Sequence, residues 1–284
     1  MQSRRDFFKT IPVLSGTLMM AMGASRESFA AVTLEKEAGL QLWTVRYDIQ
    51  KDVKSTLKAV SELGYKSIET YGFDGAFYGE ESKEFSRFCN DLGLTIHSSH
   101  TGITAENASE YAEKAATAGL SFLVLPSMMG RPTERLDHFK RTAAEMNIIG
   151  ERCLQHGIRF GYHNHDFEFK TTDGKLPYEV LLEETDPRLV SFQVDLYWMI
   201  KAGQDPFRYF ENHPGRFSLW HVKDMSTDGK SCIVGNGRID YRLLFKKAAM
   251  AGLERVFVEQ EQYDEGTPLY CAGQSLKYIN KRLF

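Results

Sequence analysis

The sequence predicts a single α/β domain built as a closed (β/α)8 TIM barrel, and three observations carry that prediction. Short apolar runs of strand character alternate with longer stretches of helical periodicity along most of the 284 residues. The helical stretches commonly end in a glycine just before the next run, at Gly64, Gly93, Gly119, Gly157 and Gly252. Such a left-handed C-cap turns a chain back toward its sheet. Finally, polar residues close successive strand-like runs: His163 after IRFGY, Asp195 after LVSFQV, His221 after FSLW and Glu259 after RVFV. Their spacings of 32, 26 and 38 residues (163 to 195 to 221 to 259) each match one βα unit. A doubly wound open sheet is the competing arrangement, but eight units without a linker favour closure.

Taken in order, Gly39–Thr44 reads as the first strand and Val53–Leu63 as its helix. Lys66–Tyr71 is the second strand, with a helix over Ser82–Leu92. Leu94–Ser99 is the third, with a helix over Asn107–Ala118. Ser121–Pro126 is the fourth, followed by the longest helical stretch, Thr133–His156. Arg159–His165 supplies strand five and Leu176–Glu184 its helix, then Leu189–Asp195 strand six and Phe207–Asn212 a short helix. Phe217–Val222 and Tyr241–Met250 form the seventh unit, Arg255–Gln260 and Gln274–Lys281 the eighth.

The barrel is expected over residues 33–284, because residues 1–30 differ in kind. Ser3-Arg4-Arg5-Asp6-Phe7-Phe8-Lys9 precedes a weakly apolar stretch from Ile11 to Ala24 and then Ser28-Phe29-Ala30-Ala31. A charged start, a short apolar centre and small residues at the end describe an export signal. The paired arginines resemble the twin-arginine (Tat) type. The expectation is a signal peptide cleaved near Ala30, the Tat export machinery as a partner, and a periplasmic location. No stable membrane anchor is expected, since the apolar run falls short of ~18 residues and contains Gly and Ser. With a net charge of −3 there is no basic excess to suggest nucleic acid. Cys89, Cys153, Cys232 and Cys271 are scattered without CxxC spacing and are expected as buried free thiols. Nothing in the sequence fixes the oligomeric state.

Alternate residues of a strand share a face. Gly161, His163 and His165 therefore lie together, as do Gln193 with Asp195, Leu219 with His221 and Lys223, and Phe257 with Glu259 and Glu261. The polar members should converge at the mouth of the barrel, where the active sites of such folds lie. His163, Asp195, His221 and Glu259 are the candidate metal ligands. Whether His163 or His165 ligates stays open. Imidazole and carboxylate donors without cysteine suit one Mn²⁺, Zn²⁺, Co²⁺ or Fe²⁺ ion, and Mg²⁺ less well. Each residue has a plainer alternative: a strand-end histidine that only hydrogen-bonds, Asp195 as a helix cap, Glu259 paired with a surface arginine.

Glu259, His163, His165 and Lys223 are the candidate catalytic groups. A lysine beside a cation should have a lowered pKa and act as a general acid or hold an enolate oxygen; the alternative is a solvated lysine on a loop. Trp43, Glu69, His100 (or His97), Trp198 and Arg238 are the candidate substrate contacts. Gly235-Asn236-Gly237 is expected to be a flexible loop over the mouth.

Five blocks carry a resemblance: Gly39-Leu40-Gln41-Leu42, Gly161 to Phe169 (GYHNHDFEF), Val194 to Trp198 (VDLYW), His221-Val222-Lys223-Asp224 and Val258-Glu259-Gln260. On these the chain resembles the xylose isomerase-like TIM barrels, a superfamily of sugar isomerases and epimerases with endonuclease IV-type enzymes and inosose dehydratase. The resemblance implies a metal held from strands five to eight and proton exchange through an enediolate. It assigns Asp195, His221 and Glu259 as ligands. The chain departs from the epimerase pattern at His163, where a glutamate is expected, and at Trp198, where several epimerases carry histidine. Its histidine-rich fifth strand is closer to inosose dehydratase and to lyases acting on 3-keto-glycosides. The expectation is a metal-dependent isomerase or epimerase of an unphosphorylated sugar or keto-sugar. A lyase or dehydratase is the alternative, and a non-catalytic exported carbohydrate-binding protein the second. Endonuclease activity is disfavoured by the lack of basic surface.

Overall fold

A computed structural model describes residues 36–128 and 135–284. The expected export segment, and the start of the helix expected from Thr133, lie outside the described residues. Eight parallel strands close into a barrel in simple sequential order: β1 (Ala38–Gln41), β2 (Ser67–Tyr71), β3 (Thr95–His100), β4 (Phe122–Leu125), β5 (Arg159–His163), β6 (Val190–Asp195), β7 (Leu219–Val222) and β8 (Arg255–Val258). β8 returns to β1 through the pairs Ala38 with Val256 and Leu40 with Val258. Helices pack outside, the longest running from Leu136 to Gln155 after β4. All five glycines expected to cap helices have positive φ.

Two apolar regions hold this arrangement. Outward-facing strand residues such as Leu40, Ile68, Tyr162, Val194 and Trp220 pack into the main core with the surrounding helices. Each large side chain fully buried there contributes about 1.5–3 kcal/mol. Inside the barrel, Phe122, Val124, Leu219 and Phe257 form a separate apolar plug. Gly39 makes room for it, because a Cβ there would lie 2.5 Å from the Phe257 ring and 2.8 Å from Ser67 Oγ. The four free cysteines are buried, as expected. No helix among the described residues is long and apolar enough to cross a membrane.

β1, β4, β5 and β8 end earlier than the sequence suggests, and at β1 and β5 side chains do the ending. β1 stops at Gln41, whose side chain accepts from Trp43 N at 2.9 Å and starts a 3-10 turn over Leu42–Val45. β5 stops at His163. The Asn164 side chain turns sideways to pair with the backbone of Asp195, accepting from its N at 3.0 Å and donating to its O at 3.3 Å. A helix over Leu196–Lys201, absent from the sequence reading, starts directly on Asp195. The expected helix Tyr241–Met250 is split into Tyr241–Phe245 and Ala248–Ala251. The last helix begins earlier, at Pro268, with Thr267 as its N-cap.

Candidate active site

Strand register brings the polar residues together. Asp195 lies beside His221 across β6 and β7, and His221 beside Phe257 across β7 and β8, which sets Glu259 just past the end of β8. His163, Asp195, His221 and Glu259 each offer one donor atom, and the four atoms lie within 4.8 Å of one another. His100, His163 and His221 form an overlapping trio on the same criterion of distance. All five side chains are buried.

His221 is the hinge of the cluster. Its Nδ1 is 3.2 Å from Glu259 Oε2 and its Nε2 is 2.6 Å from Glu69 Oε1. Burial opposes charge on this ring, but the two carboxylates outweigh it and push its pKa up to about 10. Glu69 also accepts from Gln41 Nε2 at 2.7 Å, Ser98 Oγ at 2.5 Å and Gln193 Nε2 at 2.7 Å. Gln193 Oε1 in turn meets His100 Nε2 at 2.7 Å. These residues make a polar floor above the apolar plug, satisfying the rule that buried polar groups find partners.

Lys223 is not the solvated loop residue of the alternative expectation. It is fully buried, with Nζ 2.6 Å from Glu259 Oε2, 2.6 Å from Glu261 Oε1 and 3.0 Å from Asp195 Oδ2. Burial disfavours the ammonium, but these three carboxylates outweigh it and hold the pKa well above the ordinary value. In return, Lys223 and His221 overcome the burial of Glu259 and hold its carboxyl well below the usual range. Asp195 stays raised by burial, with Lys223 pulling the other way.

Asp195 fills two roles at once. Oδ1 accepts from Trp198 N at 2.9 Å and caps the following helix, so the plainer alternative is true of this oxygen. Oδ2 is buried and, apart from its ion pair with Lys223, accepts no hydrogen bond. His163 Nδ1 is buried without a hydrogen-bond partner. A mixed imidazole and carboxylate set of this kind fits a divalent ion of the Zn²⁺, Mn²⁺, Co²⁺ or Fe²⁺ kind.

His165 lies past the strand, its ring 5.0 Å from that of His163 and 5.7 Å from that of Trp198. Burial and then Lys223 push its pKa down to about 4, so the ring is neutral at pH 7. Trp198 is half-buried, with Lys223 Nζ 5.3 Å from its ring. Trp43 stands at the rim, 40% exposed and edge-on to Tyr71. Two of the expected substrate contacts engage other residues of the chain. Glu69 has no exposed surface and both its oxygens are occupied, so it belongs to the floor. Arg238 is exposed and folds back on Met225, through its N to Met225 O and its guanidinium to Met225 Sδ. His100 joins the floor on the inward face of β3, beside Ser98 rather than His97.

The loop expected to flex over the mouth is fastened instead. Asp224 accepts from the backbone N–H of Met225, Gly235, Gly237 and Ile239 at 2.8–3.2 Å. A Cβ at Gly237 would fall 2.2 Å from Asp224 Oδ1, so only glycine permits this approach. Tyr241 OH sits between the N and O of Lys223 and fixes the backbone that carries the ammonium. Glu168, in the HNHDFEF block, accepts from Tyr162 OH at 2.7 Å and His165 N at 2.9 Å, bracing the His165 loop. Gln41, Ser98, Glu168, Asp224 and Tyr241 were not read as site residues. Gln41, Glu168 and Asp224 lie inside the quoted blocks and Ser98 two residues before His100, while Tyr241 is marked only as the start of the seventh expected helix.

Residues 57–282 match the family described as xylose isomerase-like TIM barrel. A crystal structure of a sugar phosphate isomerase/epimerase from Parabacteroides distasonis superposes with a TM-score of 0.76 at 30% identity, covering 90% of this chain and 97% of that one. A structure solved with a bound zinc atom superposes at a TM-score of 0.69, covering 87% of this chain and 99% of that one, but at 12% identity it speaks for the fold alone. Inosose dehydratase from Geobacillus thermodenitrificans is 26% identical over 157 residues, 48% of this chain. That match spans 52% of the dehydratase's own length. On the extent of the family match, and with the closed barrel it describes, this chain belongs to the xylose isomerase-like TIM barrel family of enzymes.

Proposed function

We propose that this protein is a divalent-metal-dependent enzyme that removes a proton α to the carbonyl of an unphosphorylated sugar or keto-sugar and returns it as an isomerase or epimerase. The observation that carries the reading is the convergence of His163, Asp195, His221 and Glu259, with Lys223 and His165 beside them. A divalent ion held by those four residues would supply Lewis acidity toward a substrate carbonyl oxygen. The rest falls to the chain. His165, neutral at pH 7 and next to the cluster, is placed to accept the α-proton, with Glu259 the other base. Lys223 stays protonated and offers positive charge to an enediolate oxygen. Trp198 and Trp43 supply apolar faces for a sugar ring. Export to the periplasm through the twin-arginine signal is part of the same proposal.

Elimination is the second reading, favoured by two observations. His163 stands in place of the strand-five glutamate, so a symmetric pair of carboxylate bases is not present, and inosose dehydratase is among the relatives. Both outcomes share the α-proton step. The first test is metal content by mass spectrometry of wild type and Asp195→Ala, purified without chelator. About one ion per chain, lost in a folded variant, is the expected result. A wild type that neither carries nor takes up Mn²⁺, Co²⁺ or Zn²⁺ would leave carbohydrate binding without catalysis as the better reading. Incubating keto-sugars in D₂O then separates the chemistry: deuterium in an isomeric product marks isomerisation or epimerisation, and an unsaturated product marks elimination.

A further inference from the structure

We propose that Glu69 is a positioning residue that keeps the proton of His221 on Nε2, so that Nδ1 becomes the metal-binding atom of this histidine. The inference rests on the metal-dependent reading above and goes beyond it, since Glu69 itself touches neither the ion nor the substrate.

A neutral imidazole donates from one nitrogen and accepts at the other, and the partner of one nitrogen decides which. The partner of His221 Nε2 is Glu69 Oε1 at 2.6 Å. The hydrogen bonds it accepts come from donors, Gln41 Nε2 to Oε1 and Ser98 Oγ and Gln193 Nε2 to Oε2, and His100 Nε2, itself facing Gln193 Oε1, lies 3.4 Å from Oε1. A carboxylate surrounded by donors is an acceptor only, so the proton in the contact belongs to Nε2.

Nδ1 then faces the other way. It lies 3.2 Å from Glu259 Oε2 and 3.9 Å from Asp195 Oδ2, the two carboxylates of the candidate metal set. Its lone pair is aimed where the cluster converges. A carboxylate behind a histidine fixes the ring orientation and raises its basicity toward a metal, and removal of such a partner costs about 10–100-fold in affinity. The floor holds Glu69 from four strands other than its own, with Gln41 on β1, Ser98 on β3, Gln193 on β6 and His221 on β7. This carboxylate therefore has little freedom to follow a ring that reorients.

The test is Glu69→Gln. With its oxygen toward Ser98 and Gln193, the amide turns its NH₂ toward His221 Nε2 and toward Gln41, whose own amide must rotate to accept. The ring must then accept at Nε2 and carry its proton on Nδ1, where it blocks ligation. Zinc affinity measured by chelator competition on the full chain should fall about 10–100-fold, with the circular dichroism of wild type preserved. Independently of any variant, ¹H–¹⁵N spectra of the zinc-loaded wild type should show His221 protonated at Nε2 and metal-bound at Nδ1. Wild-type zinc affinity in a folded Glu69→Gln protein, or zinc on Nε2 in the wild type, overturns this inference alone. A wild type that binds no divalent ion overturns the metal reading beneath it.

Discussion

Replacing Lys223 by methionine should destabilise the metal-free protein strongly and make its stability depend on added metal. The ammonium lies 2.6–3.0 Å from oxygens of Asp195, Glu259 and Glu261 in a site with no accessible surface at the lysine. At an effective dielectric constant of about 20, each such pair attracts by about 5.5–6.5 kcal/mol. Desolvation and repulsion among the carboxylates consume most of that. Removing one partner of a buried ion pair typically costs about 3–5 kcal/mol, because the remaining charges are stranded. Methionine fills nearly the same volume, so a cavity contributes little. In a barrel of this size 1 kcal/mol moves the melting temperature by about 2–4 °C, which predicts a fall on the order of 10 °C. Scanning calorimetry in chelator measures it. A divalent ion replaces the missing positive charge against Asp195 and Glu259, so added Zn²⁺ or Mn²⁺ should raise the variant's melting temperature more than that of wild type. A chelated variant melting within about 2 °C of wild type would refute the view that Lys223 holds these carboxylates together.

Three further outcomes are expected. Burial pushes the Glu168 carboxyl up to about 7 from an ordinary 4.5, so the folded protein holds this proton more tightly than the unfolded chain does. Its contribution is complete below about pH 4.5 and is lost as pH rises through 7, a decline of roughly 3 kcal/mol that chemical denaturation at a series of pH values should resolve and Glu168→Gln should abolish. His165→Gln should retain bound metal while slowing α-proton exchange in D₂O by about 10²–10⁴-fold; exchange at the wild-type rate would transfer the base role to Glu259. Changing Arg4 and Arg5 together to lysine should leave the protein in the cytoplasm on cell fractionation, and continued export would remove the twin-arginine assignment.

The features written as periodicity were legible in the sequence, and those written as side-chain trajectories were not. Strand alternation placed Asp195, His221 and Glu259 at one mouth, and the structure brings their donor atoms within 4.8 Å of one another and of His163. Strand ends were misjudged where a polar side chain captures backbone, as Gln41 does at Trp43 N and Asn164 at Asp195 N. Glu69 illustrates the deeper limit. Its position at the end of the second strand read as pocket lining. Four partners from β1, β3, β6 and β7 turn it into the floor, and those contacts span up to 152 positions in sequence. The surroundings of Lys223 were hidden for a related reason: the three carboxylates around it come from β6 and the loop after β8.

Charge accounting across the site argues for both the ion and the kind of substrate. Glu69, Asp195, Glu259 and Glu261 bring four negative charges to one end of the barrel when ionised, against which Lys223 and a protonated His221 set two positive ones. Buried uncompensated charge is costly, so the metal-free cluster has an electrostatic deficit that a divalent cation reduces. Ligation through Nδ1 requires His221 to give up one proton, so two positive charges enter while one leaves, and the cluster ends one charge nearer neutrality. A phosphorylated sugar would restore the deficit at the mouth beside Glu259 and Glu261, whereas a neutral sugar adds hydroxyl donors that the carboxylates can accept. This charge balance is the support for the proposed reading of a cation site that takes an unphosphorylated sugar.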